Sequence, residues 1–125
     1  MPEPEVTAVE TSSTREMFYL DPEELAKQMG LAKAGDNKAA KRVADHYGLA
    51  EANSKLEHPW VLMAAERGDI GSMRSLAMYL SSQGGQGNCQ KAFKWLERAK
   101  HEGSPEEVKK HAIDETIVHL KQQCR

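Results

Sequence analysis

Small and apolar residues recur along most of the chain at intervals of three and four, which predicts amphipathic helices rather than strands. A helix is expected to begin at Asp21, because this aspartate is followed by a proline and two glutamates. These residues supply a capping side chain, a first-turn proline and negative charge near the helix N-terminus. Gly35 followed by Asp36 predicts the end of one helix and the cap of the next. The pattern therefore indicates consecutive helices joined by short glycine turns.

The glycine turns recur at regular intervals along the chain. Gly35 and Gly68 are 33 residues apart, and Gly68 and Gly103 are 35 residues apart, which is the period of stacked helix pairs. A tryptophan lies eight residues before Gly68, at Trp60, and another lies eight residues before Gly103, at Trp95. Because the two positions are equivalent, each indole ring is expected to pack between neighbouring helices rather than to bind a ligand.

Other helix boundaries follow from the same repeat. An asparagine lies seven residues before each tryptophan, at Asn53 and Asn88, and is expected to cap the helix that carries the ring. A final helix is predicted over residues 105–123, where it would close the apolar end of the stack. His119 and Leu120 are expected on its packed face.

Composition and charge restrict both the core and the partners. The apolar fraction is 39% but only 6% of residues are aromatic, so small and aliphatic side chains must form the core, as in close-packed helices. A formal net charge of −2 gives no overall attraction to nucleic acid or to an anionic membrane. No stretch approaches the ~20 apolar residues of a membrane span. We therefore expect neither a nucleic-acid partner nor a membrane span.

The chain length suits one domain, preceded by a polar segment. Residues 1–18 are rich in Pro, Glu, Ser and Thr and have no periodic apolar pattern that would offset the entropy lost on ordering. We predict a disordered tail over residues 1–18 and a folded domain over residues 19–125. The domain is expected to be a monomer or a weak dimer.

The two cysteines bear on the compartment. Cys89 and Cys124 match neither a zinc nor a dithiol spacing. Free thiols would fit the cytoplasm, whereas a disulfide between them would need an oxidising compartment, and both alternatives are open. The N-terminus shows no export signal, so a cytoplasmic protein is expected as the chain stands. A periplasmic protein would require that an export or lipoprotein signal had been removed.

Catalytic and metal-binding motifs are not recognisable. No two of the histidines have a chelating separation, and neither a phosphate loop nor a nucleophile elbow is present. Asp45 and His46 are neighbouring titratable residues, but adjacent helical side chains diverge by about 100°. We therefore expect no enzymatic activity, no cofactor and no metal.

Three segments of the chain resemble Sel-like repeats, which are short relatives of tetratricopeptide repeats: LAKAGDNKAAKRVADHYG, WVLMAAERGDIGSMRSLAMYL and AFKWLERAKHEGS. The resemblance covers about residues 21–112. Ala44 and Ala77 stand where the family usually has glycine, and Leu80 replaces a family tyrosine. The resemblance implies an all-α, right-handed α-solenoid of about six helices with a C-terminal capping helix.

In such a solenoid the helices that follow the glycine–aspartate turns line the inner surface. Their free faces are mostly basic, with a methionine and a tyrosine for apolar contact. The predicted partner-binding residues are Lys38, Lys41, Arg42, Asp45, Arg74, Met78, Tyr79 and Lys109. We expect this strip to meet an acidic surface of another protein, and the alternative is an ordinary solvated helix face.

The resemblance implies a function in protein binding. The leading hypothesis is a bacterial immunity or adaptor protein that binds a cognate toxin or effector and neutralises it by occlusion. One alternative is a regulatory scaffold in a signalling or envelope complex. Another, from a different class, is an enzyme or small-ligand binder, which would need titratable groups that converge in a deep pocket.

Overall fold

The computed structural model describes residues 15–124 of the chain. The predicted tail therefore lies outside the described residues up to position 14, and residues 15–18 form a helical turn. The all-α class is confirmed, since the described part of the chain contains helices and no strand. No helix within residues 15–124 is long and apolar enough to cross a bilayer.

The helices follow one another with short connections. They are α1 (Pro22–Lys33), α2 (Asn37–Asp45), a π-helical segment (His46–Ala50), α3 (Ser54–Glu66), α4 (Ile70–Gln83), α5 (Gln86–Glu102), α6 (Pro105–Lys110) and α7 (Ile113–Gln123). The chain packs as two compact units, of which the first ends at Trp60 and the second begins at Val61. The prediction of one final helix is wrong, because Ala112 adopts the left-handed region with φ 50° and separates α6 from α7.

Two of the three predicted glycine junctions are the same turn. Gly35 and Gly68 have φ of 118° and 98°, a region that glycine enters without steric cost. In each turn the aspartate that follows accepts a hydrogen bond from the backbone N–H three residues later, at 3.1 Å for Asp36 and 2.9 Å for Asp69. The junction at Gly103 differs, since its φ is −76° and the following serine caps α6 with a capping box.

The predicted asparagine caps have different outcomes. Asn53 caps α3, since its side-chain oxygen accepts a hydrogen bond from the backbone N–H of Leu56 at 3.1 Å. The prediction for Asn88 is wrong, because this residue lies inside α5. The cap of α5 is Gly85, and Asn88 donates through its side-chain nitrogen to the carbonyl of Gly84 at 2.8 Å. Two glycines with positive φ let the helix begin earlier than an asparagine cap would.

The first unit is built on the pair α1 and α2. Its buried residues are mostly alanines, as the composition predicted, and include Ala32, Ala39, Ala40, Val43 and Ala44. The imidazole of His46 is also buried, at 1% exposure. Its Nδ1 accepts a hydrogen bond from the backbone N–H of Leu20 at 3.0 Å, which ties the segment before α1 to the π-helical segment.

The second unit has an aliphatic core between α4, α5 and α7. The fully enclosed side chains are small or aliphatic and comprise Ala65, Ile70, Met73, Leu76, Ala77, Ala92, Leu96, Ala99, Ile113 and Leu120. A disulfide joins Cys89 near the start of α5 to Cys124 after α7, with a Cα–Cα distance of 6.0 Å. The covalent bond therefore links the start of α5 to the end of α7.

Candidate partner-binding cleft

The predicted partner-binding residues fall into two sets, one in each unit. Lys38, Lys41, Arg42 and Asp45 lie on α2, while Arg74, Met78 and Tyr79 lie on α4 and Lys109 lies on α6. The lysines and Arg42 are exposed, and the remaining members are half-buried.

Arg74 and Met78 lie one turn apart on α4 and line a cleft of about 220 Å³. The other lining residues come from α7 and the turn before it, and they are Ala112, Glu115, Thr116 and His119. Tyr79 and Lys109 do not line this cleft. The structure therefore brings together two of the predicted residues with a wall that the sequence analysis did not identify.

A hydrogen-bond relay holds the guanidinium of Arg74 in the cleft. Its Nε donates to the hydroxyl of Thr116 at 2.9 Å, and this hydroxyl donates to the carbonyl of Ala112 at 2.6 Å. Thr116 is 4% exposed, so the anchor of the arginine is itself fixed in the core. No carboxylate within residues 15–124 forms an ion pair with Arg74, so its positive charge is not neutralised by direct pairing.

Close packing between α4 and the turn before α7 sets the position of the cleft. A Cβ atom on Gly71 would lie 2.9 Å from Cε1 of His111, closer than carbon atoms pack. Glycine at this position lets the turn that carries Ala112 approach the helix that carries Arg74. The left-handed conformation of Ala112 then directs the chain into α7.

The cleft is lined by charged, polar and apolar side chains. It contains one guanidinium, one carboxylate, one imidazole and a thioether. Its volume is below the ~300–1,000 Å³ typical of small-molecule sites. In the described part of the chain, no group of three His, Cys, Asp or Glu side chains could hold a metal ion.

In the first unit, Arg42 also has a structural role. Its Nη1 donates to the side-chain oxygen of Gln28 at 3.3 Å, and the amide of Gln28 donates to the carboxylate of Glu24 at 2.7 Å. Gln28 is 6% exposed. This relay joins α1 to α2, so one of the predicted binding cations already has a partner within its own unit.

Two carboxyl groups of the first unit lie in an unfavourable setting for negative charge. Burial raises the pKa of Asp45, although the nearby charge of Lys41 opposes the rise. Burial also raises the pKa of Glu57, and the charge of Asp45 raises it further. The Glu57 carboxyl occupies the space that a Cβ atom on Gly48 would need.

The neighbouring pair Asp45 and His46 does not form a dyad. The Nε2 of His46 lies against the carboxylate of Glu51, and its Nδ1 accepts the backbone hydrogen bond from the segment before α1. The rings of Tyr19 and Tyr47 lie 5.2 Å and 5.1 Å from the imidazole, centroid to centroid. The imidazole thus contacts the segment before α1, Tyr47 and Glu51, all within the first unit.

Sequence reasoning missed the α7 side of the cleft for a specific reason. The sequence analysis predicted a single helix over residues 105–123, with both His119 and Leu120 on its packed face. In the structure Leu120 is buried, but His119 is exposed and lines the cleft. The signal that was present is the spacing of Ile113, Thr116 and Leu120, which share one face of a helix. That spacing predicts that Thr116 faces the core and that Glu115 and His119 lie at the exposed side of the helix.

Comparisons with known proteins add no family assignment. No family model matches the chain, and neither a curated protein nor a solved structure matches it. The resemblance to Sel-like repeats accordingly rests on the residues of the sequence.

Proposed function

We propose that this chain is a protein-binding module of Sel-like repeats that takes a side chain of a partner protein into the cleft at Arg74 and Met78. The observation that carries the proposal is the guanidinium of Arg74, held by Thr116 and half-buried beside a thioether. Arginine and methionine are enriched at protein interfaces. An arginine that is already positioned loses less side-chain entropy when a partner binds.

Within this class, we favour an immunity or adaptor protein that binds a cognate toxin or effector and neutralises it by occlusion. The support is a cleft whose volume is scaled to a single side chain, built between two helices of one unit. The matching turns at Gly35 and Gly68 support the repeat itself. The right-handed solenoid that the resemblance implies stays a prediction.

The disulfide supports an oxidising compartment, such as the periplasm, over the cytoplasm. Structural disulfides persist where glutathione and thioredoxin do not reduce them. Alkylation of free thiols in cells, followed by mass spectrometry of the intact protein, tests this part of the proposal. Unmodified Cys89 and Cys124 are expected, and two alkylated thiols would favour a cytoplasmic site of action.

The neighbouring reading frames in the genome supply the partner to be tested. We expect the product of an adjacent toxin-like frame to form a tight complex with this protein and to lose its activity in that complex. Replacement Arg74→Glu should weaken the complex at least about tenfold, because truncating or reversing a desolvated charge contact slows association and speeds dissociation. Lys121→Glu reverses an exposed charge outside the cleft and is the matched control.

The result separates the competing functions. Equal affinity of the wild type and Arg74→Glu would exclude the cleft as the binding site. Several weaker partners, with no loss of any partner's activity, would favour a regulatory scaffold instead. An enzyme or small-ligand binder is not proposed, since the hydroxyl of Thr116 in the cleft is already hydrogen-bonded to Arg74 and to the carbonyl of Ala112.

A further inference from the structure

A second surface of the second unit lies along one face of α5. Lys91, Lys94, Trp95 and Arg98 line a shallow cavity of about 270 Å³. Their spacing of three and four residues puts them side by side on the helix. The surface is thus continuous, and we call it the Trp95 face.

The indole of Trp95 is partly packed against the core and partly exposed to solvent. The ring packs against the aliphatic core of the unit but is only half-buried, so the packing role expected from the sequence accounts for part of its surface. The guanidinium of Arg98 lies over the ring, 5.2 Å from its centroid, within the range of a cation–π interaction. A large amphipathic ring that is partly exposed is a typical anchor at protein interfaces.

The cavity is held in shape before any partner arrives. Arg98 donates to the carboxylate of Glu102 at 2.6 Å and to the carbonyl of Glu66 at 3.2 Å. Two residues before Lys91, the disulfide fixes the first turn of α5 to the end of α7. Such preorganisation lowers the entropy lost on binding.

The charge of the Trp95 face is positive, in contrast to the whole chain. Lys91 and Lys94 are exposed, and neither forms an ion pair with any residue that the structure describes. Arg98 is partly offset by Glu102. Two exposed lysines therefore flank the half-buried indole in a protein whose net charge is −2.

From this arrangement we propose that the Trp95 face binds an acidic segment of a partner protein, with an aromatic or aliphatic side chain of that segment on the indole. The lysine ammonium groups pair with the carboxylates, while the lysine methylene stems and the indole cover the apolar side chain. A nucleic-acid strand is a poorer match, because such strands need an extended basic groove with successive stacking platforms. This surface is separate from the Arg74 cleft and does not depend on the function proposed for it.

The test uses the full-length protein with Trp60→Phe, so that its fluorescence reports on Trp95. The probe is a short synthetic peptide of glutamates around one central phenylalanine. We expect saturable binding that weakens with added salt and weakens about tenfold or more in the Lys91→Glu, Lys94→Glu double variant, because charge reversal replaces attraction with repulsion.

Two controls make the result specific. Lys110→Glu with Lys121→Glu reverses two exposed lysines of the same unit and should change the affinity by less than about twofold. Arg74→Glu should leave probe binding unchanged, so failure of the cleft proposal and failure of this one give different results. Circular dichroism confirms that each variant is folded.

Three outcomes would overturn the proposal. The first is equal binding of the probe by the wild type and the Lys91→Glu, Lys94→Glu variant. The second is equal binding of a matched peptide in which lysines replace the glutamates. The third is tighter binding of a single-stranded oligodeoxynucleotide through the same lysines, which would assign the surface to nucleic acid.

Discussion

At the scale of single residues, the carboxyl of Glu57 is placed where its ionised form is disfavoured. Burial raises its pKa from the ordinary value of 4.5, and the nearby charge of Asp45 adds to the rise. A carboxyl whose pKa is raised by folding contributes most to stability when it is protonated in both states. Its contribution is therefore full below pH 4.5 and is lost as the pH rises through the folded-state value.

Replacement Glu57→Gln is expected to stabilise the protein at pH 7 by up to about 1 kcal/mol, because the amide carries no charge to desolvate. The gain should shrink as the pH falls and vanish below the ordinary pKa of the carboxyl. Urea unfolding at several pH values measures it. Glu23→Gln is the control, since this exposed acid lies in the first turn of α1, where its charge favours the helix. A pH-independent gain in Glu57→Gln would contradict the account.

The contrast between Arg74 and Thr116 shows what a sequence reveals about one residue. Arg74 could be predicted as a surface cation, because its spacing from the turn at Gly68 places it outside the packed face of α4. Thr116 anchors it from a position 42 residues away, and no local pattern encodes that distance. The cation of the cleft was therefore predictable, but its hydrogen-bond partner was not.

At the scale of elements, the turn at Gly68 supplies a test of the repeat. Gly68→Ala should destabilise the protein by about 1–2 kcal/mol, because an L-residue at φ 98° is strained. Gly30→Ala is the matched control. Gly30 lies inside α1 with open space at its Cβ position, so alanine there should stabilise by about 0.5–1 kcal/mol. Thermal unfolding compares the two, and equal effects would contradict the assigned turn.

The link between α5 and α7 is the second test at this scale. The Cys89–Cys124 disulfide closes a loop across a sequence separation of 35 residues. Cys124→Ser should lower the free energy of unfolding by about 2–4 kcal/mol, because the unfolded chain regains the entropy that the bond removes. Denaturant unfolding of oxidised wild type against Cys124→Ser measures it. Identical stabilities would contradict this account, because a bond between these two cysteines must lower the entropy of the unfolded chain.

The elements differ in how far the sequence could predict them. The turns at Gly35 and Gly68 were predictable, because glycine and aspartate act there through local backbone geometry. The break at Ala112 was not, since an alanine in the left-handed region has no sequence signature and is held by its surroundings. The disulfide stayed open for the same reason, because only the packed fold brings the two thiols together.

At the scale of the whole molecule, small side chains and one disulfide build the cores of two helical units, and the second unit carries two distinct surfaces. The cleft at Arg74 and Met78 combines a fixed cation with a thioether. The Trp95 face combines an indole with two lysines that have no ion-pair partner within residues 15–124. Both surfaces combine positive charge with an apolar group, and both are the basis of the partner binding that we propose.

Hydrogen–deuterium exchange of the complex with the product of the adjacent toxin-like frame tests the central claim most directly. Binding in the cleft predicts slower exchange at the turn and first part of α7, over residues 112–119, together with protection of α4 around Arg74 and Met78. Unchanged exchange in both segments, with protection confined to other parts of the chain, would contradict the assignment of the cleft as the partner-binding site.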